Sequence, residues 1–331
     1  MKTKLAGWII VLIFAIAVQA QQTAQTTRIT VIDAPSNLGL RPPKPGKIPG
    51  VHKLAGALRS FGILSRLHAT DGGSVTPPTY SPALDPKIGV RNAEALAAYS
   101  LKLSDAVQQI IQHGGFPVVL GGDCSILIGN MLALRRVGHF GLIFIDGHTD
   151  YATPQTSGTG GAAGMDLAIV TGRGIDPLTD LKKLKPYVQP QDVVAFGFED
   201  FGHPEKYLFP DILKTKIELY SIASARKLGL KQAAEKGIEY LKTQGVSGFW
   251  IHLDADVLNE KIMPAVDSPN SGGMTFEELS EVLRIFLSSN LARGIDIAIY
   301  DPDLDPTGKI GKKFTDSIVS AFPLDIAGGK N

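Results

Sequence analysis

The 331 residues carry 33 lysines and arginines against 32 aspartates and glutamates, with 7 histidines and one cysteine. A chain this close to neutral, with no basic stripe and no polybasic patch, lacks the electrostatic footprint for nucleic acid or an anionic membrane surface. The lone Cys124 cannot close an internal disulfide, so stability has to come from a core, and a chain of this length buries about three quarters of its unfolded surface.

Lys2 and Lys4 precede an apolar stretch from Leu5 to Val18, and Val18-Gln-Ala20 leads into the polar run Gln21 to Thr27. This is the pattern of a secretory signal peptide, residues 1–20, cleaved after Ala20. Its apolar part is shorter than the roughly 20 residues of a membrane span. Cleavage removes two lysines and no acid, leaving a mature chain 21–331 that is still close to neutral. The expected location is therefore periplasmic or secreted, with no membrane attachment after cleavage; an uncleaved N-terminal anchor is the alternative.

Thr27 to Asp33 reads as a buried strand, and the Pro/Gly-rich segment Ala34 to Gly50 as a loop near a site. A short helix is expected from Lys53 to Arg59, and a second loop around Asp71-Gly-Gly-Ser and Pro77-Pro78. Asn92 to Gln112 has helical periodicity and ends in His113-Gly-Gly115, a C-terminal capping signal. Strands at Pro117–Leu120, Gly141–Ile145, Asp192–Phe196, Ser247–Leu253 and Gly294–Tyr300 then alternate with helices at Ser125–Arg136, Met165–Val170, Leu230–Gln244 and Phe276–Leu287. Thr275-Phe-Glu-Glu278 is a capping box for the last of these helices. Alternation of this kind predicts one α/β domain, a three-layer α/β/α sandwich with a mostly parallel sheet, whose ligands gather beyond the carboxyl ends of the strands.

Two acidic motifs fall at such strand ends. Asp146-Gly-His148-Thr-Asp150 follows Phe140-Gly-Leu-Ile-Phe-Ile145, and Asp254-Ala-Asp256 follows Phe249-Trp-Ile-His-Leu253. Unpaired buried carboxylates are very costly, so the clustering predicts cations. Carboxylates with a neutral imidazole suit Mn²⁺, Fe²⁺, Zn²⁺ or Ni²⁺, and the second pair supplies enough oxygens for two ions holding an acidified water. His252 reads as a structural residue facing the helix layer, and Asp267-Ser268-Pro-Asn270 as a turn shaping the pocket rim and touching substrate.

In order along the chain these residues resemble the ureohydrolases: arginase, agmatinase, formimidoylglutamase and their relatives. Gly121-Gly-Asp-Cys-Ser125 resembles the family's Gly-Gly-Asp-His-Ser, and Asp146-Gly-His-Thr-Asp150 its Asp-Ala-His-x-Asp. His252-Leu-Asp-Ala-Asp256, with Pro264 and Gly272-Gly-Met-Thr275 downstream, resembles Ser-x-Asp-x-Asp with its Pro and Gly-Gly-Leu-Thr. Gly50 to Leu64 is similar to the family's early Gly-Pro-x-x-Leu-Arg helix. The resemblance implies a homo-oligomer, trimer or hexamer, acting on a small-molecule guanidino or amidino compound by hydrolysing a linear C–N bond. It further implies two Mn²⁺ ions bridged by Asp146 and Asp254, one completed by His148 and Asp256, the other by Asp150 and Cys124. Asp150 would be the catalytic residue, hydrogen-bonding the metal-bridging hydroxide and passing a proton to the leaving amine.

Departures from the family pattern bear on the metal and the substrate. Cys124 stands where the family has a histidine, either as a softer ligand that favours Zn²⁺ or Fe²⁺ or as a small buried residue that ligates nothing. Gly160 to Asp166 contains no histidine where arginases carry one, and Asp166 either substitutes for it or caps a helix. At the end of the last strand, where an acid holds the guanidinium, this chain has Ile299, with Asp301 the nearest acid and an expected substrate contact; Glu199 and Asp200 are either a substitute or solvated loop acids. Two other readings stay open: a mononuclear deacetylase-like amidohydrolase using Asp146, His148 and Asp254, and a non-catalytic metal-binding relative.

Overall fold

In the computed structural model residues 28–323 are described, so the expected signal peptide lies outside them. Eight strands form one sheet, all parallel: β1 Ile29–Asp33, β2 Thr70–Ser74, β3 Phe116–Leu120, β4 Gly141–Ile145, β5 Val193–Phe196, β6 Glu218–Tyr220, β7 Phe249–Asp254 and β8 Ala292–Ala298. Their order across the sheet is β2-β1-β3-β8-β7-β4-β5-β6. Parallel strands need crossovers, and here helices supply them on both faces.

The strands read as continuous apolar runs because each of their faces has its own core. Ile143, Ile145, Ile251, Leu253 and Ile297 pack on one side beneath helices α1 (Leu54–Ser60), α5 (Leu230–Thr243), α6 (Phe276–Leu287) and α7 (Lys309–Ala321). On the other side, Leu142, Phe144, Val119 and Trp250 pack beneath α2 (Ala93–Gln112), α3 (Ile126–Val137) and α4 (Asp166–Val170). Three layers result, as the alternation predicts. Thr275 opens α6 with the expected capping box, closed by its reciprocal bonds with Glu278.

Two strands were not expected. β2 is Thr-Asp-Gly-Gly-Ser and largely exposed, and β6 is three residues long, so neither carries an apolar pattern. Both are the edges of the sheet, where short polar strands discourage pairing with other chains. The expected elements also stop at Tyr300, whereas α7 follows and packs Phe314 and Ile318 into the core. No described helix is long and apolar enough to cross a membrane.

Register fixes the site. Ile145 pairs with Leu253, so β4 and β7 end side by side and release Asp146 and Asp254 at one level. His252 lies between Phe144 on β4 and Asp296 on β8. Strand side chains alternate with period two, which sends Trp250, His252 and Asp254 to the same face.

Candidate metal centre

The loop after β3 reaches the site first. Gly122 packs so tightly on the Ala34–Gly50 segment that a Cβ there would collide with the Ser36 carbonyl oxygen. Asp123 tethers that segment, accepting from Ser36 Oγ at 2.9 Å and the Gly39 amide at 3.1 Å. Held between them, Cys124 is fully buried at the start of α3, with Sγ 2.7 Å from Asp254 Oδ2. A thiolate and a carboxylate keep that separation only with a proton or a cation between them.

Turn geometry after β4 aims the next three ligand candidates. The His148 amide donates to Asp146 Oδ1 at 2.6 Å and the Gly147 amide to Asp256 Oδ1 at 3.0 Å, tying the turn to the end of β7. Asp256 in turn donates its amide to Asp254 Oδ1 at 2.7 Å. Asp150 adopts φ 40°, a left-handed conformation uncommon outside glycine and best tolerated by aspartate and asparagine, and such backbone clusters at functional sites.

Three overlapping sets of ligand atoms converge, each set within 4.8 Å: Cys124, Asp146, His252 and Asp254; Cys124, Asp150 and Asp166; and Asp146, His148 and Asp256. All six residues expected to hold metal are therefore together. Two more join them. His252 is fully buried, and Asp166 is fully buried at the start of α4 with one oxygen on the Leu167 amide. Their alignment was legible only in part: His252 stands two residues before Asp254 on one strand, whereas Asp166 arrives from a distant loop.

The electrostatics are those of a buried acidic cluster. Burial drives the Asp146, Asp166 and Asp254 carboxyls far above the usual range, and neighbouring carboxylates add to it. Burial likewise lifts Asp150 to about 7, while Asp256 beside His148 pushes that imidazole to about 10. Burial also raises the Cys124 thiol. Asp146 Oδ2, Asp166 Oδ2 and His252 Nε2 are buried with no hydrogen-bond partner. Buried polar atoms are almost always satisfied, so three orphans aimed into one cluster fit divalent cations.

This cluster floors a cleft of about 290 Å³. Cys124, His148, Asp150, Asp254 and Asp256 line it below, and Arg41, Glu199, Tyr207, Asp267 and Ser268 line it above. The segment from Ala34 thus contributes to the site as expected, and Asp267 and Ser268 stand at the rim. Glu199 faces the cleft, with one carboxylate oxygen on the Phe201 amide at 2.7 Å; Asp200 is buried and accepts from the Gly202 amide. Ile299 lies at the cleft wall, while Asp301 turns away to accept from the amides of Gly50 at 3.1 Å and Asp303 at 2.9 Å.

Residues 32–322 match the model of the Arginase family. The chain belongs to that family. It is 30% identical over 306 residues to an arginase of Staphylococcus aureus (strain COL), covering 90% of this chain and 97% of the relative. Human Arginase-1 is 27% identical over 315 residues, covering 92% and 94%. In three dimensions the native arginase of Bacillus caldovelox superposes with a TM-score of 0.79 at 28% identity, covering 92% of this chain and 99% of that one. Formimidoylglutamase of Bacillus subtilis shares the fold, with a TM-score of 0.69 at 16% identity. The arginase-family membership makes this chain a hydrolase with a buried cluster of metal-ligating side chains at its strand ends.

Proposed function

We propose that this arginase-family chain hydrolyses a linear C–N bond of a guanidino or amidino small molecule, with two divalent cations held by Cys124, Asp146, His148, Asp150, Asp254 and Asp256. The observation that carries the reading is the convergence of these six residues at an open cleft, where Asp146 Oδ2 and the neighbouring Asp166 Oδ2 and His252 Nε2 are buried without partners. When bound, the cations supply Lewis acidity: they acidify water and polarise the carbon under attack.

The chain's own side chains do the rest. Asp146 and Asp254 leave adjacent strands at one level, so both carboxylates would be placed to hold the cations. Asp150, aimed inward by its left-handed backbone, holds a proton on its carboxyl and passes it to the departing amine. Asp267 and Ser268 at the rim bind substrate, and with Glu199 and Arg41 they present both signs of charge to a polar, charged molecule. Asp301 is not assigned a substrate contact, because its carboxylate serves two backbone amides. The sulfur of Cys124 argues for Zn²⁺ or Fe²⁺ beside the Mn²⁺ that the family resemblance implies.

Stripping the protein with a chelator, reloading it separately with Mn²⁺, Fe²⁺, Zn²⁺ and Ni²⁺, and offering a panel of guanidino and formimino compounds tests this. Urea, ammonia or formamide should appear with at least one metal. Metal uptake with no release from any compound would leave a non-catalytic metal-binding protein. Export is proposed alongside: mass spectrometry of the mature N-terminus should find Gln21, and retention of Met1 would refute it.

A further inference from the structure

His252 is the buried imidazole with the least explained surroundings. It sits in the middle of the sheet, fully buried, its ring stacked on Phe144 at 4.8 Å and 19°. Nδ1 lies 2.6 Å from Asp296 Oδ2, and that carboxylate also receives Asn130 Nδ2 at 3.0 Å and the indole N–H of Trp250. Asp296 accepts, so Nδ1 carries the hydrogen, and in the neutral imidazole Nε2 is left with its lone pair. That lone pair has no partner, and it points where Cys124, Asp146 and Asp254 also place ligand atoms.

A purely structural histidine of this kind would use both nitrogens. The nearest candidate is Asp166 Oδ2 at 3.8 Å, beyond hydrogen-bonding distance and itself without a partner. Two orphaned lone-pair donors that flank one point without touching are the arrangement a cation completes. A carboxylate gripping the far nitrogen of a metal-bound histidine is also the usual way that proteins fix the ring.

We propose that His252 is a metal ligand, and that the deeper of the two cation positions is a mixed site of Cys124 sulfur, His252 Nε2 and carboxylate oxygens of Asp146 and Asp254, with Asp296 as the positioning residue behind the imidazole. This rests on the two-cation reading above and deepens it. One sulfur, one nitrogen and two oxygens make a four-coordinate, partly soft site that suits Zn²⁺ or Co²⁺ better than Mn²⁺. The outer position, served by His148 and Asp256, keeps only oxygen and imidazole donors, so the two positions should fill in sequence.

Metal-free protein titrated with Co²⁺ alone, followed by electronic and X-ray absorption, tests the assignment. The first equivalent should show sulfur and imidazole on the same ion. His252→Asn should lose that imidazole and bind the first equivalent far more weakly, Asp296→Asn roughly 10–100-fold more weakly, and His148→Asn should leave the first spectrum unchanged. If His252→Asn does not fold, the wild type loaded with two equivalents decides: one imidazole per ion supports the assignment, and one shared between two ions overturns it. An unchanged first-equivalent spectrum in a folded His252→Asn protein overturns the role of His252 while leaving the metal centre standing. Failure of the wild type to bind Co²⁺ overturns both.

Discussion

The deep and outer halves of the metal centre are built on different principles. His252, Asp254 and Asp296 are strand residues locked between two layers, and the His252 ring has no exposed surface. His148 belongs to a turn at the floor of the cleft, with its side chain 43% exposed and bonded to Asp256 at 3.0 Å. A ligand set into a sheet cannot adapt, so it selects a metal by donor type and distance. A ligand on a solvent-facing turn can move with substrate. On the proposed two-cation reading, one cation is part of the fold and the other part of the reaction.

Metal removal should break this contrast most visibly. Holding free metal about a thousandfold above its dissociation constant adds about 4 kcal/mol to stability, so stripping the cations should lower the unfolding midpoint by several degrees. The effect should depend on pH. In the metal-free protein Asp150 has a folded value of about 7 against the usual 3.8, so the folded state keeps a proton that the unfolded chain releases across that window. Stability of the metal-free form therefore falls as pH rises through the window, and the His148 imidazole, raised to about 10, continues the fall above it. The gap between loaded and stripped midpoints should widen from about pH 5 to about pH 8; a gap that narrows contradicts the electrostatic account.

Single substitutions sharpen the comparison in decreasing steps. His252→Ala should cost about 3 kcal/mol in denaturant unfolding of the metal-free protein, because it leaves the buried Asp296 with only Asn130 and Trp250 as donors. His148→Ala should cost less than half as much, since water replaces its contacts. Gly122→Ala, which drives a methyl into the Ser36 carbonyl, should cost about 2 kcal/mol and lower metal affinity by displacing Cys124. Arg226 holds the rim, donating to Glu278 at 3.0 and 2.7 Å and to the carbonyls of Gly272 and Gly273 at 2.8 and 2.9 Å. Arg226→Ala should cost about 1 kcal/mol and raise KM more than it lowers kcat, because the rim segment carrying Asp267 and Ser268 loosens while the metal ligands stay put.

Much of the architecture could be read before any coordinates. The apolar runs ending at Ile145 and Leu253 were long enough to mark buried strands, and charged residues directly after such runs can only lie at the sheet's edge of the site. The edge strands were illegible because Thr70–Ser74 and Glu218–Tyr220 bury too little to need a pattern. His252 was read as structural for a related reason. Facing the helix layer is what a core residue does, and period two alone does not reveal that the same face carries Asp254 into a polar pocket.

The sequence by itself determined which residues could bind metal: two motifs after two apolar strands, a glycine-tight loop delivering Cys124, and an order along the chain that resembles one family. Only the tertiary structure decided how they are brought together. Register between β4, β7 and β8 sets His252 beside Asp296 and Asp146 level with Asp254, and the crossover into α4 brings Asp166 to the same point. Those distances depend on strand neighbours far apart in the chain, and no local pattern encodes a neighbour. The same register turns Asp301 onto the amides of Gly50 and Asp303, leaving the cleft to Asp267, Ser268 and Glu199.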